Sequence, residues 1–243
     1  MQLHVLTIFP EMFPGPLGVG IVGRAITAGI ADVRVHDIRA HAHDRHRTTD
    51  DAPFGGGPGM VMRPEPLFEA VEAMALPPGA PVVLLTPQGR TFRQADAERF
   101  ASLGAMALVC GRYEGVDERV RQHLVTEELS VGDYVLTGGE LPALTVVDAV
   151  VRLLPGVMGH GEEAVADDSH TSGLLQYPQY TRPALFRGLD VPEVLRSGDH
   201  AAIARWRRRE ALRRTLERRP DMLSEAALDA ADLKMLREMG WGG

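Results

Sequence analysis

Four short, largely apolar runs, HVLTIF, VRVHDI, PVVLLT and AMALVC, constrain this chain more than anything else in it. Runs of that length with little polar alternation leave no face for water, so they suit parallel strands covered on both sides. Helical patterns lie between them. RPEPLFEAVEAMALPPG sets Leu67, Val71 and Met74 on one face and stops at Pro77, Pro78 and Gly79. Thr91 and Gln94 have the spacing of a capping box, ahead of a helix ending near Leu103 and Gly104. Strands alternating with helices over the first two-thirds predict an α/β fold with a mainly parallel sheet.

The pattern breaks at residues 159–172, GHGEEAVADDSHTS, which are polar, acidic and without periodicity and read as an interdomain linker. Only helices are expected after it. Pro192 can open a short helix stopped by Gly198, Asp199 can cap an arginine-rich helix ended by Pro220, and Ser224 can cap a last helix with Gly240 just past its end. The expected organisation is a domain over 1–159, a linker over 160–171 and a small helical domain over 172–243.

Charge is divided as unevenly as structure. The net charge is −7, yet residues 205–219 hold eight arginines and two glutamates, a local +6, so the remainder carries −13. Such a split suggests an acidic body with one basic arm. No apolar run approaches the roughly 18 residues a membrane span needs. The first residues, MQLHVLTIFPEMF, lack the basic region of a secretory signal, so a cytoplasmic location is expected. Cys110 is the only cysteine, which leaves no internal disulfide or cysteine-based metal cage.

Several motifs compete for attention. Gly18, Gly20 and Gly23 spell the G-x-G-x-x-G of dinucleotide sites, with Asp37 ending the next strand. That fingerprint needs a tight strand-to-helix turn, whereas Pro10, Pro14 and Pro16 intervene here, so a helix start is the better reading. His41, His43 and His46 are close together, but without a cysteine pair or HExxH they read as polar loop residues. FGGGPGM, residues 54–60, crowds four glycines into a loop that suits close backbone approach to a planar ligand or a second chain. Three further loops form a set: TPQG after PVVLL, GRYEG after AMALVC, and VGDYVLTGGE before LPALTVVDAVVRLL. The first two fall at the carboxyl ends of predicted parallel strands, where open α/β sheets bind ligands.

With FGGGPGM, the segments GRYEGVDERV, SVGDYVLTGGELPALTVVDAVVRLLPGV and GLLQYPQYTRP closely resemble the bacterial tRNA (guanine-N1)-methyltransferases, the TrmD family of the SPOUT class. The likeness covers essentially the whole chain. It implies transfer of a methyl group from S-adenosylmethionine to N1 of guanosine 37 of tRNA, where guanosine 36 precedes it. It also implies a deep trefoil knot in the first domain, although the strand pattern alone would give an ordinary doubly wound sheet. A homodimer with shared active sites and no membrane partner is expected.

By that likeness the cofactor lies against Thr86, Pro87, Gln88 and Gly89, then Gly111, Tyr113, Glu114 and Gly115. Val131, Gly132, Asp133, Tyr134, Val135, Leu136, Gly138 and Gly139 form the third loop, followed by Pro142. Guanine N1 carries a proton at neutral pH, so a base must remove it while negative charge grows toward O6. The resemblance makes Asp168, in the Asp-Ser pair, the base and Arg152 the cation that stabilises the oxyanion. Glu114 is a candidate for positioning the cofactor or a magnesium ion. Gly57, Ser169, Arg182, Arg208 and Arg213 are the expected tRNA contacts.

Three departures stand out. The linker is about one residue longer before Asp-Ser, which keeps Asp167 as an alternative base; His170 replaces the common phenylalanine; and Gln176 stands where the family generally has an acid. Two rival readings are a nicotinamide-dependent oxidoreductase built on GVGIVG and a non-catalytic RNA-binding protein of the same fold.

Overall fold

A computed structural model describes residues 1–159 and 167–242, and the chain divides into two compact units, Met1–Gly161 and Glu162–Gly243. Most of the predicted linker, residues 160–166, lies outside the described residues.

In chain order the first unit contains β1 (Gln2–Thr7), α1 (Pro14–Leu17), α2 (Gly20–Thr27), β2 (Asp32–Asp37), β3 (Asp50–Asp51), β4 (Val61–Met62) and α3 (Pro64–Ala73). It continues with β5 (Val82–Thr91), α4 (Gln94–Ala101), β6 (Ala105–Cys110), α5 (Glu118–His123), β7 (Glu127–Ser130) and α6 (Glu140–Val151). Five strands pair in the order β2-β1-β6-β5-β7, every pair parallel. Val5 stands between Val35 and Leu108 in the ladder, so the apolar runs are in register. Alternate side chains go to opposite faces. Leu3, Val5, Val83, Leu85, Met106 and Leu108 pack with Val22, Phe100, Val146 and Val150, whereas Leu6, Val82, Leu84, Ala107 and Val109 pack with Leu67, Val71 and Val120. Helices thus cover both faces, which is why the strands could afford to be apolar throughout.

Two local expectations are corrected. β7 was not predicted, because EELS is short and half acidic. The capping box at Thr91 and Gln94 does not form, since Thr91 is still in the sheet opposite Ser130. Arg93 precedes the helix instead, and its N–H donates to the Asp96 carboxylate at 2.9 Å. The GVGIVG segment begins α2 as the prolines suggested. A Cβ on Gly23 would lie 2.6 Å from the Gly18 carbonyl carbon, so these glycines serve chain-on-chain packing.

The second unit has a small core of Leu174, Ala211, Leu212, Leu223 and Leu236. It holds β8 (Leu185–Phe186), β9 (Leu189–Asp190), α7 (His200–Arg218) and α8 (Ala230–Glu238). The short β8–β9 hairpin corrects the helix-only expectation; its turn uses Arg187 and Gly188, both at positive φ. Asp199 caps α7 by accepting the Ala202 N–H at 2.9 Å, as predicted. Ser224 does not cap the last helix. Asp229 does, exchanging hydrogen bonds with Asp232, because Ser224 itself ends a 3-10 turn over Pro220–Ser224 and the helix starts only at Ala230. Among the described residues of this unit, Ser169 Oγ accepts the Gln176 N–H at 2.9 Å, and the His170 N–H donates to Leu174 O.

Candidate active site

Three loops converge at the carboxyl edge of the sheet. The β5–β7 ladder pairs Leu85 with Leu129 and then Arg90 with Leu129 again, so residues 86–89 leave the ladder as a wide bulge within a strand. The sequence reading had them as a loop after the strand. A Cβ on Gly89 would fall 2.4 Å from the Leu129 nitrogen, so only glycine lets the bulge rejoin the sheet. The second loop leaves β6 at Cys110, and the third leaves β7 at Ser130 and enters α6. They are joined directly: the Gly139 N–H donates to Gly111 O at 2.9 Å, and a Cβ on Gly139 would meet the Cys110 Cα at 2.6 Å.

A buried charge pair fixes this junction. Arg112 Nε donates to Glu140 Oε2 at 2.9 Å, and Thr7 Oγ1 donates to Glu140 Oε1 at 2.7 Å. Glu140 is fully buried at the first turn of α6, where the helix dipole also favours a carboxylate. Arg112 further donates to Thr137 O and lies over the Phe9 ring at 4.5 Å. A second pair, Arg121 with Glu128, supports the other side, with Arg121 Nη1 donating to Gln88 Oε1 at 2.6 Å. The reading from sequence missed Arg112, Arg121 and Glu140, since charged residues default to solvent. The available signal was a glutamate directly after two glycines at a helix start.

Between the loops lies an open-mouthed cleft, about 840 Å³ with the solvent at its mouth included. Its lining includes Thr86, Pro87, Gln88, Gly111, Tyr113, Glu114, Gly115, Val131, Tyr134, Val135, Leu136, Gly138, Gly139 and Pro142. Gly89, Gly132 and Asp133 shape the loops without lining the cleft. Backbone groups on apolar walls from Leu84, Val116 and Leu129 give the cleft its character. Cys110 is buried behind it, and burial, then the nearby Glu140 charge, pushes its thiol well above the ordinary range, so it is no nucleophile.

The FGGGPGM loop connects β3 to β4 and closes on this site. Gly59 has φ +85° and packs on Glu114, whose Oε1 would lie 2.3 Å from a Cβ there and would have to move, and the Glu114 N–H donates to Met60 O. Gly57 has φ +123° in the same loop, and Phe54 is fully exposed. Tyr113, at φ +60°, has its hydroxyl pKa raised by burial and then by the Asp50 carboxylate.

The two expected catalytic residues belong to different units. Arg152 ends α6 in the first, ten residues beyond Pro142, or about 15 Å along the helix from the cleft. Asp168 is in the second, where its carbonyl accepts the Thr171 N–H. The neighbouring Asp167 carboxylate accepts a hydrogen bond from the Tyr177 hydroxyl at 3.0 Å. Of the expected tRNA contacts, Arg182 is exposed, but Arg208 pairs with Asp232 and Arg213 with Glu210 and Glu217. Among the described residues, no group of three His, Cys, Asp or Glu side chains could hold a metal ion, and His43 pairs with Glu69. No helix among them is long and apolar enough to cross a membrane.

The family described as tRNA (Guanine-1)-methyltransferase TrmD matches residues 1–225 of this chain. The chain belongs to that family. A tRNA (guanine-N(1)-)-methyltransferase of Chloroflexus aggregans is 57% identical over 249 residues, covering 100% of this chain and 97% of its own. Those of Moorella thermoacetica and Dehalococcoides mccartyi are 57% and 54% identical, each over 98% of this chain. TrmD membership makes the chain a tRNA-modifying transferase.

Proposed function

We propose that the protein methylates N1 of guanosine 37 in tRNA carrying guanosine at position 36, with S-adenosylmethionine as donor. The observation that carries this reading is the cleft itself. It is built from the three loops that the family resemblance assigns to the cofactor, and Gly89 and Gly139 hold those loops where any Cβ would collide with backbone. Such a cradle fits a folded ligand read by backbone groups: residues 86–88, 111–115 and 131–139 would hold it, with Glu114 toward its charged end. The donor supplies an electrophilic methyl group on a sulfonium.

The chain's own residues do the rest. Asp168 accepts the N1 proton, which frees the lone pair for attack, and Arg152 stabilises the charge that moves to O6. Arg152 is too far along α6 to serve the cleft of its own protomer, which supports a homodimer with shared sites. An apolar groove on the outer side of α6, with Leu17, Leu141, Leu144 and Arg152 in its lining, supports the same arrangement. The SPOUT knot, a cytoplasmic location, a magnesium requirement and the division into 1–159, a linker and 172–243 belong to this reading through the family. For tRNA phosphates, Arg205 and Arg209 are better placed than Arg208 and Arg213: both are exposed on α7 and, among the described residues, carry no ion pair.

The test combines labelled S-adenosylmethionine with a tRNA transcript bearing guanosines 36 and 37, for the wild type and for Asp167→Asn and Asp168→Asn. Transfer that disappears only in the Asp168 variant is the expected result. No transfer by the wild type would overturn the reading.

A further inference from the structure

The second unit contains an open groove that the methylation chemistry does not use. One wall is the segment 177–182, the other is α7, and the base of the β8–β9 hairpin closes one end, where the Val191 N–H donates to Ala184 O at 2.9 Å. Its floor is apolar, formed by Val191, Leu195 and Ile203. Two aromatic rings in its lining, Tyr180 and Trp206, are tilted against each other, with centroids 6.4 Å apart and planes inclined at 53°. Tyr180 remains 49% exposed, an unusual state for a large aromatic that has a core to join.

The charged side chains in the lining itself have one sign, although the Tyr177 hydroxyl donates outward to the Asp167 carboxylate at 3.0 Å. Arg182, Arg196 and Arg207 line the groove and no acid does. Arg207 lies over the Tyr177 ring at 4.9 Å, and the nearest carboxylate to Arg196 is Asp190 at 3.9 Å, both of them exposed. Open aromatic faces beside arginines are the chemistry that holds unpaired nucleotides. Every base offers a π-face to stack, and its phosphates find the guanidiniums.

We propose that this groove binds one unpaired nucleotide of the RNA substrate other than the methylated guanosine, with its base against Tyr180 and Trp206 and its phosphates on Arg182 and Arg207. The proposal rests on the tRNA reading above. It adds a second point of contact, one that recognises single-stranded RNA by stacking and without regard to which base is presented.

The test uses the full-length protein and the unmodified tRNA transcript with guanosines 36 and 37. Tyr180→Ala should weaken tRNA binding by about five- to a hundredfold, the range of one lost base stack. Tyr180→Phe, which keeps the ring, should bind within about twofold of the wild type, and Arg182→Gln should lower the salt slope by about 0.7. Both side chains are on the surface, and thermal melting of each variant checks that the fold persists. Tyr180→Ala binding as tightly as the wild type, or Tyr180→Phe failing as badly as Tyr180→Ala, would overturn the groove. So would a loss of self-association in place of a loss of tRNA affinity, which would make the groove a protein contact. Transfer of the methyl group by the wild type is scored separately, so a failed groove leaves the enzymatic reading standing. A wild type that binds no tRNA removes both.

Discussion

The two units use arginine in opposite ways. In the sheet unit, Arg112 is largely withdrawn from water to meet a fully buried Glu140, and the pair sets the shape of a cleft. The core there is large and apolar on both faces of the sheet, so charge is free to organise the site. In the helical unit five buried apolar side chains form the core among the described residues, and the arginines of α7 help to hold it together. Arg208 reaches across to Asp232 on α8, and Arg213 ties Glu210 and Glu217 along the same helix. A basic helix in a small domain therefore overstates its contacts with RNA, because part of its charge is already committed to the fold.

The sharpest way to break this contrast is catalysis, which the proposed mechanism draws from both units. Asp168→Asn should lower methyl transfer by about 10²- to 10⁴-fold, and Arg152→Ala by about a hundredfold or more, with each variant melting like the wild type. Single-turnover rates measure both. A loss under threefold for Arg152→Ala would remove that side chain from the mechanism.

The next largest effect belongs to the cleft. Glu140→Gln leaves the Arg112 guanidinium buried without a counter-charge, which costs about 3–5 kcal/mol. For a unit of this size that lowers the melting temperature by about 6–20 °C. S-adenosylmethionine titrated by calorimetry should bind more weakly, since Arg112 also holds the third loop through Thr137 O. A variant that melts as the wild type does but still loses the cofactor would assign the pair to the site alone.

In the helical unit the corresponding change is milder. Arg208 stays about one-third open to water, so Asp232→Asn should cost about 1–2 kcal/mol, less than a fully buried pair. The pH dependence has a definite sign. The Arg208 hydrogen bonds hold the Asp232 carboxyl below its ordinary value of 3.8, so its contribution is complete above pH 3.8 and is lost as pH falls through the lower folded value. Acid unfolding of the wild type and of Asp232→Asn, followed through helical circular dichroism, should converge at low pH.

What could be read from the sequence follows the same division. The strands of the sheet were legible because burial on both faces leaves an unbroken apolar signature, and only β7, short and acidic, escaped. The loops of the cleft were legible through their glycines and the family likeness. The charges that position them were not, because Arg112 and Glu140 are 28 residues apart and meet only after β6 and α6 are in place. In the helical unit Asp199 was recognised as a cap, yet Ser224 was chosen over Asp229 because both precede plausible helices and only tertiary packing decides. The partners of Arg208 and Arg213 follow from helical spacing in one case and from the α7–α8 contact in the other, and the second is invisible in one dimension.

The smallest effect separates the units by pH. His4 and His36 sit on adjacent strands with Nδ1 and Nε2 2.9 Å apart and rings stacked at 5.1 Å, so one ring nitrogen donates its N–H to the other ring. Burial, and then positive charge nearby, lowers both rings below the ordinary imidazole value of 6.5: Arg34 acts against His4, and His4, Arg34 and His41 against His36, with Asp32 opposing at His4. Unfolded histidines take up protons at about pH 6.5 while the folded pair resists, so stability is complete above that pH and declines as pH falls toward the folded values. The slope is at most about 1.4 kcal/mol per pH unit for each ring. Melting of the sheet should therefore shift downward between pH 7.5 and 5.5, and His36→Asn should flatten the shift. The helical unit, whose carboxylate Asp232 titrates below 3.8, should hold its melting temperature over the same interval. If both units soften together near pH 6, their stabilities are coupled in solution and the contrast drawn from their separate cores is too sharp.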